Sequence, residues 1–170
     1  KAGELTMRVD CTRMLDPVPK TMTMNVTAVT PILNVSDVPA SLRWFEALGF
    51  RRCFTFNDGG MIRDSADADA HGPAQFASVG AGEIEIFLCH DGQGLRGGKP
   101  AVPGGDDDAG ATWMTLWVGT CREVDEAFER ARAVGATVMA PPVDEPWGVR
   151  ELRLAHPDGH VFRVSAPVGR

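Results

Sequence analysis

One pattern constrains this chain more than any other: a strand, a helix and three further strands occur twice within 170 residues. Val35, Phe45 and Gly49 answer to Val118, Phe128 and Gly135, displaced by 83, 83 and 86 positions. A repeat of that length is one supersecondary unit used twice, so the repeat decides the fold class before any single residue does. In the first half, residues 26–35 alternate, with Val29, Pro31, Leu33 and Val35 on one face and Thr30, Ile32 and Asn34 on the other. This predicts a strand, and Pro31 puts it at a sheet edge because proline cannot donate to a ladder. Asp37 is placed to cap a helix with Pro39 in its first turn; Val38, Leu42 and Phe45 form its buried stripe, Gly49 stops it, and Trp44 lies off the stripe. Residues 51–57, 75–79 and 83–89 then read as strands, the first two separated by a Gly-Ala-Asp loop reaching to about Gly72.

The second half repeats this order. Residues 113–118 alternate, and Thr120 with Glu123 forms a capping box worth ~1 kcal/mol. The helix it opens has Val124, Ala127, Phe128, Ala131 and Val134 on its buried stripe and Gly135 as its stop. Residues 137–139 follow, then a hairpin whose strands flank the turn Pro157-Asp158-Gly159, where glycine supplies positive φ. Pro146-Trp147-Gly148-Val149-Arg150 leads the chain into that hairpin. A tryptophan beside a glycine sets a flat apolar face next to unshielded backbone, as a planar-ligand site would; the alternative is that Trp147 plugs the sheet. The expected architecture is α+β, with two tandem βαβββ modules at 25–89 and 111–168. A Gly-, Pro- and Asp-rich flexible linker spans 90–110, and residues 1–24 read as an N-terminal arm.

A chain of this length buries roughly 70% of its unfolded surface and needs no covalent staple. Cys11, Cys53, Cys89 and Cys121 are widely spaced, which suggests neither a disulfide framework nor a zinc cluster and fits a reducing cytoplasm. No apolar run approaches the ~20 residues of a membrane span, and the expectation is a soluble protein. The net charge of −6 disfavours nucleic acid and anionic membrane as partners and favours cationic ones. Acidic residues at 58, 64, 67, 69 and 106–108 read as solvated loops. No phosphate-binding glycine loop is present. His71, His90, His156 and His160 fall in loops or turns and read as solvated, and Cys89 has no assignable base for a nucleophilic role.

Two such modules resemble the vicinal-oxygen-chelate superfamily, which includes glyoxalase I, extradiol dioxygenases and the fosfomycin- and bleomycin-resistance proteins. The resemblance rests on Pro31-Ile32-Leu33-Asn34-Val35-Ser36-Asp37-Val38, residues 41–50, 83–87 and 146–164, and covers about 25–168. It implies a concave mixed-sheet cup, and in the family's metal enzymes four His, Gln or Glu ligands on the central strands. The matching positions here are Thr30, Glu85, Trp113 and Arg163. Only one is a carboxylate, so no metal cofactor and no metal-dependent lyase or oxygenase activity are expected. Sharing parity with those positions are Ile32 and Asn34; Glu83, Phe87 and Cys89; Thr115 and Trp117; and Ser165. With Phe54, they make an aromatic-lined cup suited to a planar organic molecule. Glu85 and Arg163 are expected to pair across its floor.

The Trp147-Gly148 element, Trp113, Trp117 and the missing ligands look most like the bleomycin-resistance branch. What that resemblance implies is non-catalytic sequestration of a cationic, planar-ring antibiotic by a cytoplasmic homodimer. Its site residues would be Trp147, Gly148, Trp113, Trp117, Thr115, Phe54, Phe87, Cys89, Glu85 and Arg163. Departures from the family are His156 where an Asp commonly opens the turn, the long linker and the arm. A metal-dependent enzyme and a carrier or regulatory module for another aromatic ligand are the competing readings.

Overall fold

A computed structural model describes residues 26–63, 72–91 and 112–169. The arm, the linker beyond Asp91, Cys11, His71 and the acidic residues at 64, 67, 69 and 106–108 lie outside them. In chain order the elements are β1 (Ile32–Val35), α1 (Val38–Ala47), β2 (Arg51–Asn57), β3 (Gly60–Arg63), β4 (Phe76–Ala81) and β5 (Ile84–His90). The second unit comprises β6 (Trp113–Trp117), α2 (Cys121–Ala133), β7 (Thr137–Glu145), β8 (Val149–Ala155) and β9 (Val161–Pro167). They form a five-stranded sheet of order β1-β5-β4-β2-β3 and a four-stranded sheet of order β6-β9-β8-β7. In both sheets the strand before the helix lies parallel to the last strand, at an edge, and every other pairing is antiparallel. The α+β expectation of two βαβββ units holds, with one extra strand in the first.

That extra strand corrects the Gly-Ala-Asp loop. Asp58-Gly59 joins Asn57 to its register partner Gly60 as a two-residue connection, a strong short-range hairpin signal, and the Asn57 side-chain oxygen accepts from the Gly59 N–H at 2.9 Å. β1 is shorter than expected. Its ladder begins where the Pro31 carbonyl accepts from the Phe87 N–H, and residues 26–30 are not in a strand. β7 is longer than expected, running over Pro141-Pro142 to Glu145; as an edge strand with two register shifts it has room for residues without an N–H.

Both caps form as read. The Asp37 carboxylate accepts from the Ala40 N–H at 2.8 Å, and the Thr120 hydroxyl oxygen from the Glu123 N–H at 3.3 Å. Leu33, Val35, Ala77, Val79, Ile86 and Leu88 bury one face of the first sheet against Val38, Leu42 and Phe45 of α1. Leu152, Leu154, Phe162, Val164 and Ala166 do the same in the second sheet with Val124 and Ala131 of α2, and all belong to one continuous core. Val134, expected on the α2 stripe, is instead exposed at the helix end.

The seam between the two units depends on the β8–β9 turn. Asp158 accepts the Ser36 N–H at 3.0 Å, and His160 Nε2–H donates to the Asn34 carbonyl at 2.8 Å. Trp44 packs its ring 5.0 Å from His156 and 5.5 Å from Phe162, so the residue off the α1 stripe joins Phe45 in facing the second unit. His156 and His160 are 2% and 0% exposed, which overturns their reading as solvated turn residues. His90 ends β5 and pairs with Asp91 at 3.2 Å.

Candidate ligand-binding faces

Helices cover one face of each sheet, and the other face is where the candidate residues collect. Strand register aligns Ile32, Phe87, Ser78, Phe54 and Arg63 in one row across the first sheet, and Asn34, Cys89, Phe76, Phe56 and Met61 in the next. Phe54, Phe76 and Phe87 meet there with ring centroids 6.0, 5.7 and 5.3 Å apart, and Phe56 beside them is 46% exposed. Phe76 was not singled out from sequence. The signal was its parity with Ser78 and Gly80, opposite to the buried Ala77 and Val79. Cys89 lies on this face, buried. Glu83 sits in the β4–β5 turn rather than on the strand.

The second sheet places Trp113, Thr115 and Trp117 opposite Val161, Arg163 and Ser165, and these in turn opposite Ala155, Arg153 and Glu151. Trp113 packs against Ala155 and Val161, whereas Trp117 is 65% exposed. The expected Glu85–Arg163 pair does not form. Arg163 donates to Glu151 at 2.6 Å, while Glu85 accepts from the Ser78 hydroxyl on its own sheet. Glu151 is buried and also accepts from Arg153 at 3.0 Å and from Ser165 at 3.2 Å. Burial alone would raise its carboxyl, but the hydrogen bonds from Arg163 and Arg153 outweigh that and hold it below the usual carboxylate range. Glu151 and Arg153 escaped the sequence reading because residues 151–155 looked merely mixed. Their strict alternation with Leu152 and Leu154 was the clue.

Trp147 and Gly148 lead into β8, the first strand of the last hairpin, as expected, and form the tip of the β7–β8 turn, closed by the Gly148 N–H bonding the Glu145 carbonyl at 3.0 Å. Trp147 is 58% exposed and does not plug the sheet. The structure therefore groups Phe54, Phe87, Cys89 and Glu85 on one sheet and Trp113, Thr115, Trp117 and Arg163 on the other. The Trp147 tip is separate from both.

A family model described as the Glyoxalase/Bleomycin resistance protein/Dioxygenase superfamily matches residues 24–164. The chain belongs to that superfamily. Within it, the uncharacterized protein Rv0887c of Mycobacterium tuberculosis is 28% identical over 149 residues, 87% of this chain and 79% of that protein. Among solved structures, TioX from Micromonospora sp. ML1 superposes with a TM-score of 0.58 at 22% identity, over 84% of this chain and all of TioX. A bleomycin-binding protein complexed with bleomycin gives 0.52 at 19% identity, over 83% of this chain and 98% of that one. The superfamily's metal chemistry needs a donor set that these residues do not supply. Thr30 lies outside the ladder, Glu85 serves Ser78, Trp113 is packed on the sheet and Arg163 is bound to Glu151. Among the described residues no group of three or more His, Cys, Asp or Glu side chains is arranged to hold an ion.

Proposed function

We propose that the protein binds a planar-ring organic molecule, of the kind typified by ring-bearing antibiotics, on its helix-free sheet faces and sequesters it without metal chemistry. The observation that carries this reading is the Phe54–Phe76–Phe87 cluster, three rings in mutual contact on a face no helix covers. The three rings are partly buried against one another and leave a contiguous apolar patch of the kind that marks a ligand site, and stacking there returns ~0.5 to 1.5 kcal/mol per ring pair beyond the buried area. Likeness in fold to a protein solved with bleomycin supports the same reading. Trp117, exposed on the second sheet's candidate face, would report binding there through its emission.

The test is titration of the protein with a panel of bleomycin-class, quinoline-type and naphthalene-type compounds, followed by tryptophan fluorescence and calorimetry. Phe87→Ala should weaken the best ligand at least several-fold while the far-ultraviolet spectrum is unchanged. No binding across the panel, or binding indifferent to Phe87, would overturn the proposal.

A further inference from the structure

A pocket lined by two arginines and two glutamates lies on the strands that carry the aromatic cluster, and its guanidiniums bear on what the ligand must carry. A pocket of 330 Å³ is bounded by Arg51, Cys53, Arg63, Glu83 and Glu85 at the edge of the same face. Arg63 is the register partner of Phe54, so its side chain leaves the sheet on the same face as the ring cluster. Arg51 reaches this face through an irregularity in β2. The pairing with β4 shifts between Arg52 and Phe54, which makes Cys53 an extra residue. Arg51 and Phe54 therefore emerge on the helix-free side, while Arg52 between them turns to Glu46 of α1 at 2.9 Å.

Gly80 is what makes the seat. A Cβ there would stand 2.9 Å from the Cys53 sulfur and 3.3 Å from the Ile84 carbonyl oxygen, so a side chain would push Cys53 aside, while the Arg51 guanidinium carbon at 3.5 Å would only be touched. Arg51 donates to Cys53 Sγ at 3.2 Å, and among the described residues neither Arg51 nor Arg63 forms an ion pair. Elsewhere Arg52, Arg122, Arg132, Arg150, Arg153 and Arg163 meet carboxylates, while among the described residues the exposed Arg43 and Arg130 form no ion pair either. Of the acids bordering the pocket, Glu85 is engaged by the Ser78 hydroxyl and Glu83 lies in the exposed turn. Guanidinium is the side chain best shaped for two-point recognition of a carboxylate.

We propose that the ligand is an aromatic carboxylate, its ring on Phe54, Phe76 and Phe87 and its acid group between Arg51 and Arg63. This rests on the binding reading above and sets the ligand's charge. The whole-chain charge of −6 pointed to a cation; the pocket itself is lined by two guanidiniums and two carboxylates, so the anion is drawn by the two guanidiniums that form no ion pair and not by a net local charge.

Three matched probes decide it by calorimetry: 2-naphthoate, 2-naphthylmethanol and 2-naphthylmethylammonium. The anion should bind at least tenfold tighter than the alcohol at low salt, with the advantage shrinking in 0.5 M sodium chloride. The double variant Arg51→Gln/Arg63→Gln should erase the advantage and leave the alcohol's affinity unchanged. Equal binding of all three, preference for the cation, or a preference that survives the double variant overturns the anion assignment and leaves the ring-binding reading standing. If none of the three binds, the anion assignment falls, and the wider panel above decides the ring-binding reading.

Discussion

His156 is a histidine held neutral by its surroundings. It lies against Trp44 and Phe45, 5.7 Å from the His160 ring, and accepts the Asp158 N–H at 3.1 Å through Nδ1. Burial, against the pull of Asp158, lowers its pKa from 6.5 to about 4. The unfolded chain takes up a proton at 6.5 that the folded chain refuses until about 4, so this contribution is complete above pH 6.5 and declines as pH falls towards 4. At the acid end the loss approaches about 3 kcal/mol. Urea midpoints measured from pH 8 to pH 4 should show that decline, and His156→Phe should flatten it. The sequence reading missed this residue because nothing within a few positions of it announces burial. Its aromatic neighbours come from α1, and the Asn34 carbonyl that holds the adjacent His160 lies 126 positions away. Glu85 and Arg163 misled in a similar way: complementary charges on matching strands suggested a pair, whereas each found a nearer partner in its own sheet.

Elements were easier to read than residues, because helix ends are written locally. α1 begins where Asp37 accepts the Ala40 N–H, with Pro39 inside its first turn. Asp37→Ala should cost about 1 kcal/mol by removing that acceptor, measurable as a lowered denaturation midpoint with the native spectrum retained. Strand edges were harder. Alternation over residues 26–35 continued past the point where a neighbouring strand exists to pair with, so β1 was read too long. β7 was read too short, as 137–139, although a sheet edge tolerates prolines such as Pro141 and Pro142 whose missing donors would point to solvent. Period alone says which residues share a face, and the length of a strand is decided by its neighbour.

At the scale of the whole molecule, one core lies between the helices and both sheets, while Ile32, Phe56 and Met61 stay exposed on the first sheet's helix-free face. A second copy that brings its own sheet to that face would complete the proposed cup, and self-complementary pairing of this kind gives closed twofold assemblies. Light scattering at micromolar concentration should return the mass of a dimer, with Phe56→Asp/Met61→Asp shifting it to a monomer. The repeat made the paired architecture legible from sequence. How the pair is joined was not, because the seam consists of contacts such as Ser36 to Asp158, 122 positions apart. That separation also bears on the order of events in folding. Closing so long a loop costs more entropy than forming either hairpin, which predicts that these bonds form after the hairpins and add little to the rate-limiting state, to be checked by an unchanged refolding limb for Asp158→Ala. Asp158 therefore acts as a latch on departure: weakening it lets the native protein open sooner and leaves the speed of folding almost untouched.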